Sequence, residues 1–418
     1  MTPLPSKAPN SVSLSSRKHV SFSAEGLSSV EGARTVIETI ESRKQVTKLS
    51  LSHNDLADEG CIELFSYLCS PEGRKHQLTE INLVHNHLGD RSLLAISEYL
   101  RNNRQLKELW LQANAFSGAR DVVATFVDAV NSSQLRTLTL SSNCGDGNVL
   151  VSHLMDMLDS TTLGDIQISG ADLTQVVIPH IVNYISSPRS RLHTIRANGN
   201  KLGIRGVREI VQAVERHNYS LTKVDLLANW TEGSETESDE DHTMEARKRV
   251  TERLNIALKR NDRLKKETTK GAFALLRHAR AVLLRTAVVH PAVQQTDSPT
   301  PISRLPMELQ LHILSFIAPT LSTTQRLRIF HFAATPLTLP RLSLTPTADA
   351  GCIPDPASVS PVGPAAFGGF NMAAVTKAGH SGCPSGKCMG SGSLMCRREA
   401  ERLKWLEEMG CDSYEHEP

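Results

Sequence analysis

Aromatic residues are scarce in this sequence, and long apolar runs are missing. Phe, Trp and Tyr together make up 4% of the 418 residues, and three of these are Trp. No run of 18 apolar residues occurs, so we expect no membrane span. The first 20 residues also lack the apolar core of a secretion signal. We therefore expect an intracellular protein of the cytoplasm, the nucleus or both.

An excess of one charge sign is also missing. The formal net charge is +2, which gives no overall field that would attract nucleic acid or an anionic membrane. The eight cysteines are scattered without a disulfide framework, as is usual in a reducing compartment. We expect a monomer with no nucleic-acid and no membrane partner.

A repeated pattern, L-x-x-L-x-L-x-x-N-x-L, runs through residues 46–229. In the second copy, the alternating pair Ile81 and Leu83 predicts a short strand with one buried face. A helix then follows, with Leu94, Ile96 or Ser97, and Leu100 at helical spacing. One repeat cannot bury its own apolar face, so the repeats are expected to stack. The seven copies start at Val46, Leu78, Leu106, Leu135, Leu163, Leu192 and Leu221.

The Asn of each copy is expected to bond backbone groups where the chain leaves the strand. The fifth copy has Ala171 at this position, which predicts a weaker turn. The fourth copy departs from the pattern at Cys144 and Gly145, which leaves its outgoing loop undefined. The Asn residues are Asn54, Asn86, Asn114, Asn143, Asn200 and Asn229.

This pattern, with a period near 28 to 29 residues, resembles the ribonuclease-inhibitor type of leucine-rich repeat over roughly residues 17–264. The resemblance implies an α/β fold: a curved solenoid with parallel strands on the concave face and helices outside. Val20 and Phe22 match the inward pair, so 17–45 is interpreted as a degenerate N-terminal capping repeat. The alternative is an unrelated N-terminal segment. Function does not follow from such a fold, because it depends on surface residues.

Strand residues that alternate with the core pair should lie on the concave face. Trp110 is predicted to stand there beside Glu80 and Glu108, and an exposed Trp is a frequent interface anchor. The alternative is a Trp that lies flat on its neighbours without a partner. No catalytic or metal-binding set is apparent on this face, so we expect no enzymatic activity and no cofactor. The predicted partner-binding residues are Glu80, Asn82, Glu108, Trp110, Gln112, Asp165, Arg196 and Asp225.

The seventh copy is interrupted by an acidic run, TEGSETESDEDH, which is interpreted as a solvated insertion or as a phosphorylation target. The repeat pattern is expected to resume at 253–267. A basic amphipathic helix follows, with Leu275, Leu276, Ala279 and Leu283 on one face. We expect it to cap the last repeat, and the alternative is a membrane or calmodulin-like partner. The predicted segments are 1–16 disordered, 17–45 cap, 46–267 repeats with insertion 231–244, 268–290 capping helix, 291–302 linker, 303–335 helical segment, 336–392 disordered and 393–418 C-terminal helix.

The helical segment at 303–335 opens with Leu305 and with Pro306 in its first turn. It resembles the start of an F-box, whose hallmark is L-P-x-E-L followed by I-L. The resemblance implies docking on the Skp adaptor of a cullin–RING ubiquitin ligase. The alternative is an amphipathic helix that packs on the repeats. The adaptor-binding residues carried over from the family are Leu305, Pro306, Leu309 and Ile313.

The C-terminal tail contains His380, Cys383, Cys388 and Cys396, which have the chemistry of zinc ligands but not the spacing of common zinc fingers. We interpret them as unbound thiols, with zinc as the alternative. The last predicted helix presents an apolar face that would dock on the repeats or on a partner. Its residues are Leu403, Trp405, Leu406 and Met409.

Together these features favour a non-enzymatic protein–protein interaction scaffold, in its sharper form a ubiquitin-ligase substrate receptor. The alternative is a regulator of small GTPases, because Ran GTPase-activating proteins also combine such repeats with an acidic segment. That alternative rests on fold resemblance alone. A GTP-hydrolysis assay against a panel of small GTPases separates the two hypotheses.

Overall fold

The computed structural model describes residues 18–230, 244–287, 305–335, 338 and 397–417. Backbone contacts divide the chain into an N-terminal body, Met1–Lys259, and a C-terminal body, Arg260–Pro418. The predictions for 1–16, the acidic run, the linker 291–302, nearly all of 336–392 and the tail ligands His380 to Cys396 lie outside the described residues.

The N-terminal body is a single parallel β-sheet whose strands alternate with helices. Each strand pairs in register with the next strand along the chain, so the sheet order is the sequence order. In the described residues the strands are β1 His19–Ser21, β2 Lys48–Ser50, β3 Glu80–Asn82, β4 Glu108–Trp110, β5 Thr137–Thr139, β6 Asp165–Gln167, β7 Thr194–Arg196 and β8 Lys223–Asp225. The helices between them are α1 Ser29–Glu41, α2 Ala57–Cys69, α3 Asp90–Leu100, α4 Arg120–Ser132, α5 Gly147–Met157, α6 Ile178–Ser186 and α7 Gly203–His217.

The core of this body lies between the strands and the helices. Ile81 and Leu83 are fully buried, as the alternating pattern predicts. The helix register after β3 was predicted wrongly by one residue: Leu93 is buried, whereas Leu94 is 41% exposed. Leu93 precedes Ile96 and Leu100 by three and seven positions, which is the spacing of one helical face. The buried central residues of the strands are Val20, Leu49, Ile81, Leu109, Leu138, Ile166, Ile195 and Val224.

The Asn residues of the motif form a buried ladder of side-chain hydrogen bonds, as predicted. Asn114 shows the arrangement. Its Oδ1 accepts from the backbone N–H groups of Asn86 and Leu88, each at 3.1 Å. Its Nδ2 donates to the backbone carbonyls of Leu83 and Leu111 at 3.1 and 3.0 Å. One side chain thus satisfies buried polar groups of two neighbouring repeats, which would otherwise destabilise the fold.

The departure of the fourth copy from the pattern has a steric cause at Gly145. A Cβ atom added there would lie 1.7 Å from the carbonyl oxygen of Phe116 in the preceding repeat. Because two backbones approach so closely, the position accepts only glycine.

We expect Gly145→Ala to lower the free energy of unfolding of the N-terminal body by about 1–3 kcal/mol or more, since the backbone must shift to relieve the overlap. The melting temperature should fall accordingly. Gly164→Ala is the matched control, because its added Cβ would lie 3.4 Å from the ring of His193, an ordinary contact. Thermal unfolding followed by circular dichroism measures both. Equal shifts in the two variants would contradict the steric account.

The end of the repeat region differs from the prediction. Residues 253–290 were divided into a resumed repeat and a separate capping helix, but a continuous helix, α8, runs from Met244 to Ala287. Its first part packs on the N-terminal core through Val250, Leu254 and Ala257, which recur at helical spacing. The contacts that α8 makes within the N-terminal core therefore come from this first part.

The C-terminal body is helical, and it has an apolar cluster of its own. Leu275, Leu276, Ala279 and Leu283 of α8, which were predicted to cap the repeats, belong to this second cluster. Short apolar faces on several helices can be buried only against one another. The other described helices of this body are α9 Met307–Ser315, α10 Thr323–Ala334 and α11 Arg397–Met409.

The C-terminal helix α11 belongs to this cluster. Trp405 is 5% exposed and stacks on Phe273 with ring centres 5.2 Å apart. Phe332 of α10 meets the same indole at 5.8 Å. Leu403, predicted to share the docking face, is instead exposed, because it lies on a different side of the helix from Trp405. Among the described helices, none combines the length and apolar character that crossing a membrane requires.

Candidate protein-binding surfaces

The first surface is the strand face, which we define as the first and third residues of β2 to β8 together with Gln112. Parallel pairing in register places equivalent residues about 4.8 Å apart in two rows across the sheet. The first row contains Lys48, Glu80, Glu108, Thr137, Asp165, Thr194 and Lys223. The second row contains Ser50, Asn82, Trp110, Thr139, Gln167, Arg196 and Asp225.

The structure thus brings the eight predicted partner-binding residues onto one surface, and all eight are half-exposed. Thr139 is an exception on this face, since it is only 2% exposed. Its neighbour in the register is Trp110. A short side chain beside a bulky indole is shielded from solvent, so Thr139 lies beneath the surface that a partner would contact.

One side of the strand face has an acidic character. Lys48 forms a salt bridge with Glu80, and this hydrogen bond raises the pKa of the lysine. Glu108 is the register partner of Glu80. Two carboxylates and one ammonium group therefore lie on β2 to β4, the part of the strand face that contains Trp110.

The other side of the strand face contains an ion-pair network. Arg196 lies 3.4 Å from a carboxylate oxygen of Asp165 and 3.5 Å from one of Asp225. Lys223 contacts Asp225 at 3.4 Å. Burial raises the pKa of Asp165, although the guanidinium of Arg196 acts in the opposite direction. The network neutralises most of its own charge, so Trp110 and the two glutamates form the more distinctive part of this surface.

Trp110 is half-exposed, but its polar edge is buried. The indole N–H has no hydrogen-bond partner among the described residues, and the same holds for the side-chain oxygens of Gln112 and Thr139. Buried polar atoms without partners cost free energy. Sequence reasoning placed Trp110 and Gln112 here, but the polar groups without partners depend on side-chain packing.

The second surface is the exposed face of α9. Leu309, Ile313 and Phe316 are 49%, 38% and 70% exposed. They follow one another at spacings of four and three residues, so they share a side of the helix. Gln310 and Leu314 are buried on the opposite side and attach the helix to the C-terminal body.

The remaining predicted adaptor residues lie at the start of this helix. Pro306 is exposed and immediately precedes the first turn, one position earlier than predicted. Leu305 is half-buried, and its carbonyl accepts a hydrogen bond of 2.8 Å from the Gln310 side chain. The predicted adaptor residues were Leu305, Pro306, Leu309 and Ile313. They thus lie together, and Phe316, which the adaptor set omitted, extends their surface.

Cys411, which follows the last helix, is buried in the C-terminal cluster. Burial raises the pKa of its thiol to about 12, which disfavours the thiolate that binds metal ions. Comparison with models of known protein families and with curated proteins finds no match to this chain. The two surfaces are therefore the features of the described residues that bear on function.

Proposed function

We propose that this chain is a non-enzymatic interaction scaffold that joins two other proteins. The strand face would bind one partner, and α9 would dock on a Skp-type adaptor, as in a substrate receptor of a cullin–RING ubiquitin ligase. The observation that carries the proposal is the apolar face of α9, which is exposed over Leu309, Ile313 and Phe316.

The repeat architecture supports the scaffold half of this proposal. Parallel strands in register, helices between them and a buried Asn ladder fit a leucine-rich-repeat solenoid of the ribonuclease-inhibitor type. In such a solenoid the strand face would be the concave surface. Many side chains from separate repeats then meet one partner, which suits binding rather than catalysis.

The exposed α9 face supports the adaptor half. Contiguous exposed apolar side chains on a soluble protein mark interaction sites. Here the apolar side chains include the hallmark residues Leu309 and Ile313, whereas the side of the helix with Leu314 already packs inward. The division into a packed side and an open side is what docking of a second protein on α9 requires.

Co-expression of the full chain with a Skp adaptor, followed by co-purification, tests the proposal. We expect capture by the unmodified chain and loss of capture in a Leu309→Ala, Ile313→Ala double variant. Leu327→Ala is the matched control, because Leu327 is a 57% exposed leucine on α10 of the same body. Absence of capture by the unmodified chain would reject the adaptor role.

The strand face has its own test. We expect a Trp110→Ala, Glu108→Ala double variant to lose at least about tenfold in affinity for any protein that co-purifies with the full chain, since central aromatic anchors contribute 2 kcal/mol or more. Val176→Ala is the control, because Val176 is 68% exposed and lies outside the strand face. Pull-downs quantified by mass spectrometry measure the ratio. Equal capture by both variants would remove the strand face from the proposal.

A further inference from the structure

Two successive repeats present matching histidines at their outgoing turns. The turn after β2 reads Ser-His-Asn-Asp at 52–55, and the turn after β3 reads Val-His-Asn-His at 84–87. The two Asn side chains are buried in the ladder. The residues on either side of each Asn are exposed, so His53, Asp55, His85 and His87 form one solvent-facing group.

The three imidazole rings lie close together. The ring centres of His53 and His85 are 5.3 Å apart, and those of His85 and His87 are 5.4 Å apart. Two imidazoles that share a tetrahedral Zn²⁺ through bonds of about 2.0–2.1 Å hold their ring centres roughly 5 Å apart. The His85 ring therefore lies at about this spacing from each of its two neighbours.

Asp55 supplies the outer contact that a metal-binding histidine usually has. Its carboxylate lies 2.9 Å from Nδ1 of His87, and both side chains are more than 60% exposed. A carboxylate that accepts the Nδ1–H of an imidazole fixes the tautomer in which Nε2 is available as a ligand. His87 is thus oriented to bind through Nε2.

The backbone beneath this group is held by the sheet. The N–H groups of His53 and His85 donate to the carbonyls of Val84 and Gln112 at 2.8 and 2.9 Å. His53, His85 and His87 all have left-handed backbone angles, with φ of 59°, 55° and 56°. Ala113 has the same conformation at the equivalent position of the next repeat, so the turn belongs to the repeat and the histidines are an addition to it.

We propose that His53, His85 and His87 bind a divalent cation of the Zn²⁺ class, with Asp55 as the positioning residue for His87. Imidazole nitrogen is a preferred ligand for zinc, nickel and copper ions. As the side chains stand, no three His, Cys, Asp or Glu residues in the described part of the chain are arranged to hold a metal ion. The rings must therefore turn toward the ion, which exposed side chains do readily.

Zinc titration of the untagged full-length chain, followed by calorimetry, tests the proposal. Cys383→Ser, Cys388→Ser and Cys396→Ser are introduced together, so that the tail thiols contribute no binding. We expect one equivalent of Zn²⁺ to bind and His85→Asn to weaken that binding at least about 100-fold, because it removes the shared ligand. Asp55→Asn should weaken it about 10- to 100-fold.

His217→Asn is the matched control, because His217 is an exposed histidine at the end of α7 and should leave zinc binding unchanged. Asn tolerates the left-handed conformation at position 85, so the His85 variant should keep its fold, and circular dichroism verifies this. A cobalt-substituted sample provides a second readout, since its absorption spectrum distinguishes nitrogen ligands from thiolates. Absence of zinc binding, or equal affinity in the His85→Asn variant, would overturn the proposal.

Discussion

Asn114→Ala is expected to lower the free energy of unfolding of the N-terminal body by more than about 3 kcal/mol. The variant leaves two backbone N–H groups and two carbonyls without their partners. Each buried polar group that loses its partner costs about 1–3 kcal/mol. Alanine cannot replace any of these hydrogen bonds, and the Asn114 side chain is only 1% exposed, so water cannot replace them without a local opening.

Asn82→Ala is the matched control for this change. Asn82 is half-exposed, and its Oδ1 accepts from the nearby Val84 N–H at 3.1 Å. We expect its loss to cost about 1 kcal/mol or less. Both variants are compared by urea unfolding in a Trp405→Phe background. In this background Trp110 and Trp230 supply the fluorescence signal, and both lie in the N-terminal body. If the two Asn variants unfold at the same urea concentration, the buried ladder is not a main source of stability.

Trp405→Ala is expected to destabilise the C-terminal body by about 3–5 kcal/mol, the usual cost of removing a large buried aromatic side chain. The indole fills the space between Phe273 of α8 and Phe332 of α10. Its removal leaves a cavity where three helices meet, with Leu406 and Met409 as the remaining apolar contacts of α11 among the residues whose burial is described. Faster hydrogen exchange should follow in α10, α11 and the second half of α8.

Leu403→Ala serves as the control for the Trp405 change, because it lies on the same helix and is 52% exposed. A surface substitution of this kind changes the free energy of unfolding by about 0.5 kcal/mol or less. Hydrogen exchange with mass spectrometry resolves the two bodies separately, so a local effect is visible. Unchanged exchange in the Trp405→Ala chain would show that α11 does not belong to the C-terminal cluster.

The periodic part of the fold was predictable because every repeat buries its apolar residues in the same way. The alternating pair marks the strand, the Asn marks the turn, and the parallel register follows from stacking. Gly145 illustrates the limit of this reasoning. The departure from the motif was visible in the sequence, but its cause is an approach of two backbones that only the structure reveals.

The helical C-terminal body was predicted less well. The apolar face around Leu276 was recognised correctly as a helix face, but amphipathicity does not tell which core the face joins. The break expected between 253–267 and the following capping helix is absent, because residues 244–287 form one continuous helix.

The candidate surfaces were predictable to different degrees. Alternation along the strands placed Trp110 and the charged residues on one face. The exposure of Phe316 was not predictable, because the sequence alone does not show which apolar residues of a short helix are packed. The histidine group had a signal in the sequence: His53 and His85 occupy the same position of the repeat, and in-register stacking makes such positions neighbours.

We propose that the exposed face of α9 docks on a Skp-type adaptor. An equilibrium titration of the purified full-length chain with a purified Skp adaptor tests this docking. We predict saturable one-to-one binding by the unmodified chain. The affinity should weaken at least about 100-fold in the Leu309→Ala, Ile313→Ala variant, because both substitutions remove apolar contacts with the adaptor. The affinity should stay unchanged in Leu327→Ala, because Leu327 lies on α10. No binding by the unmodified chain, or equal affinity of all three proteins, would contradict the claim.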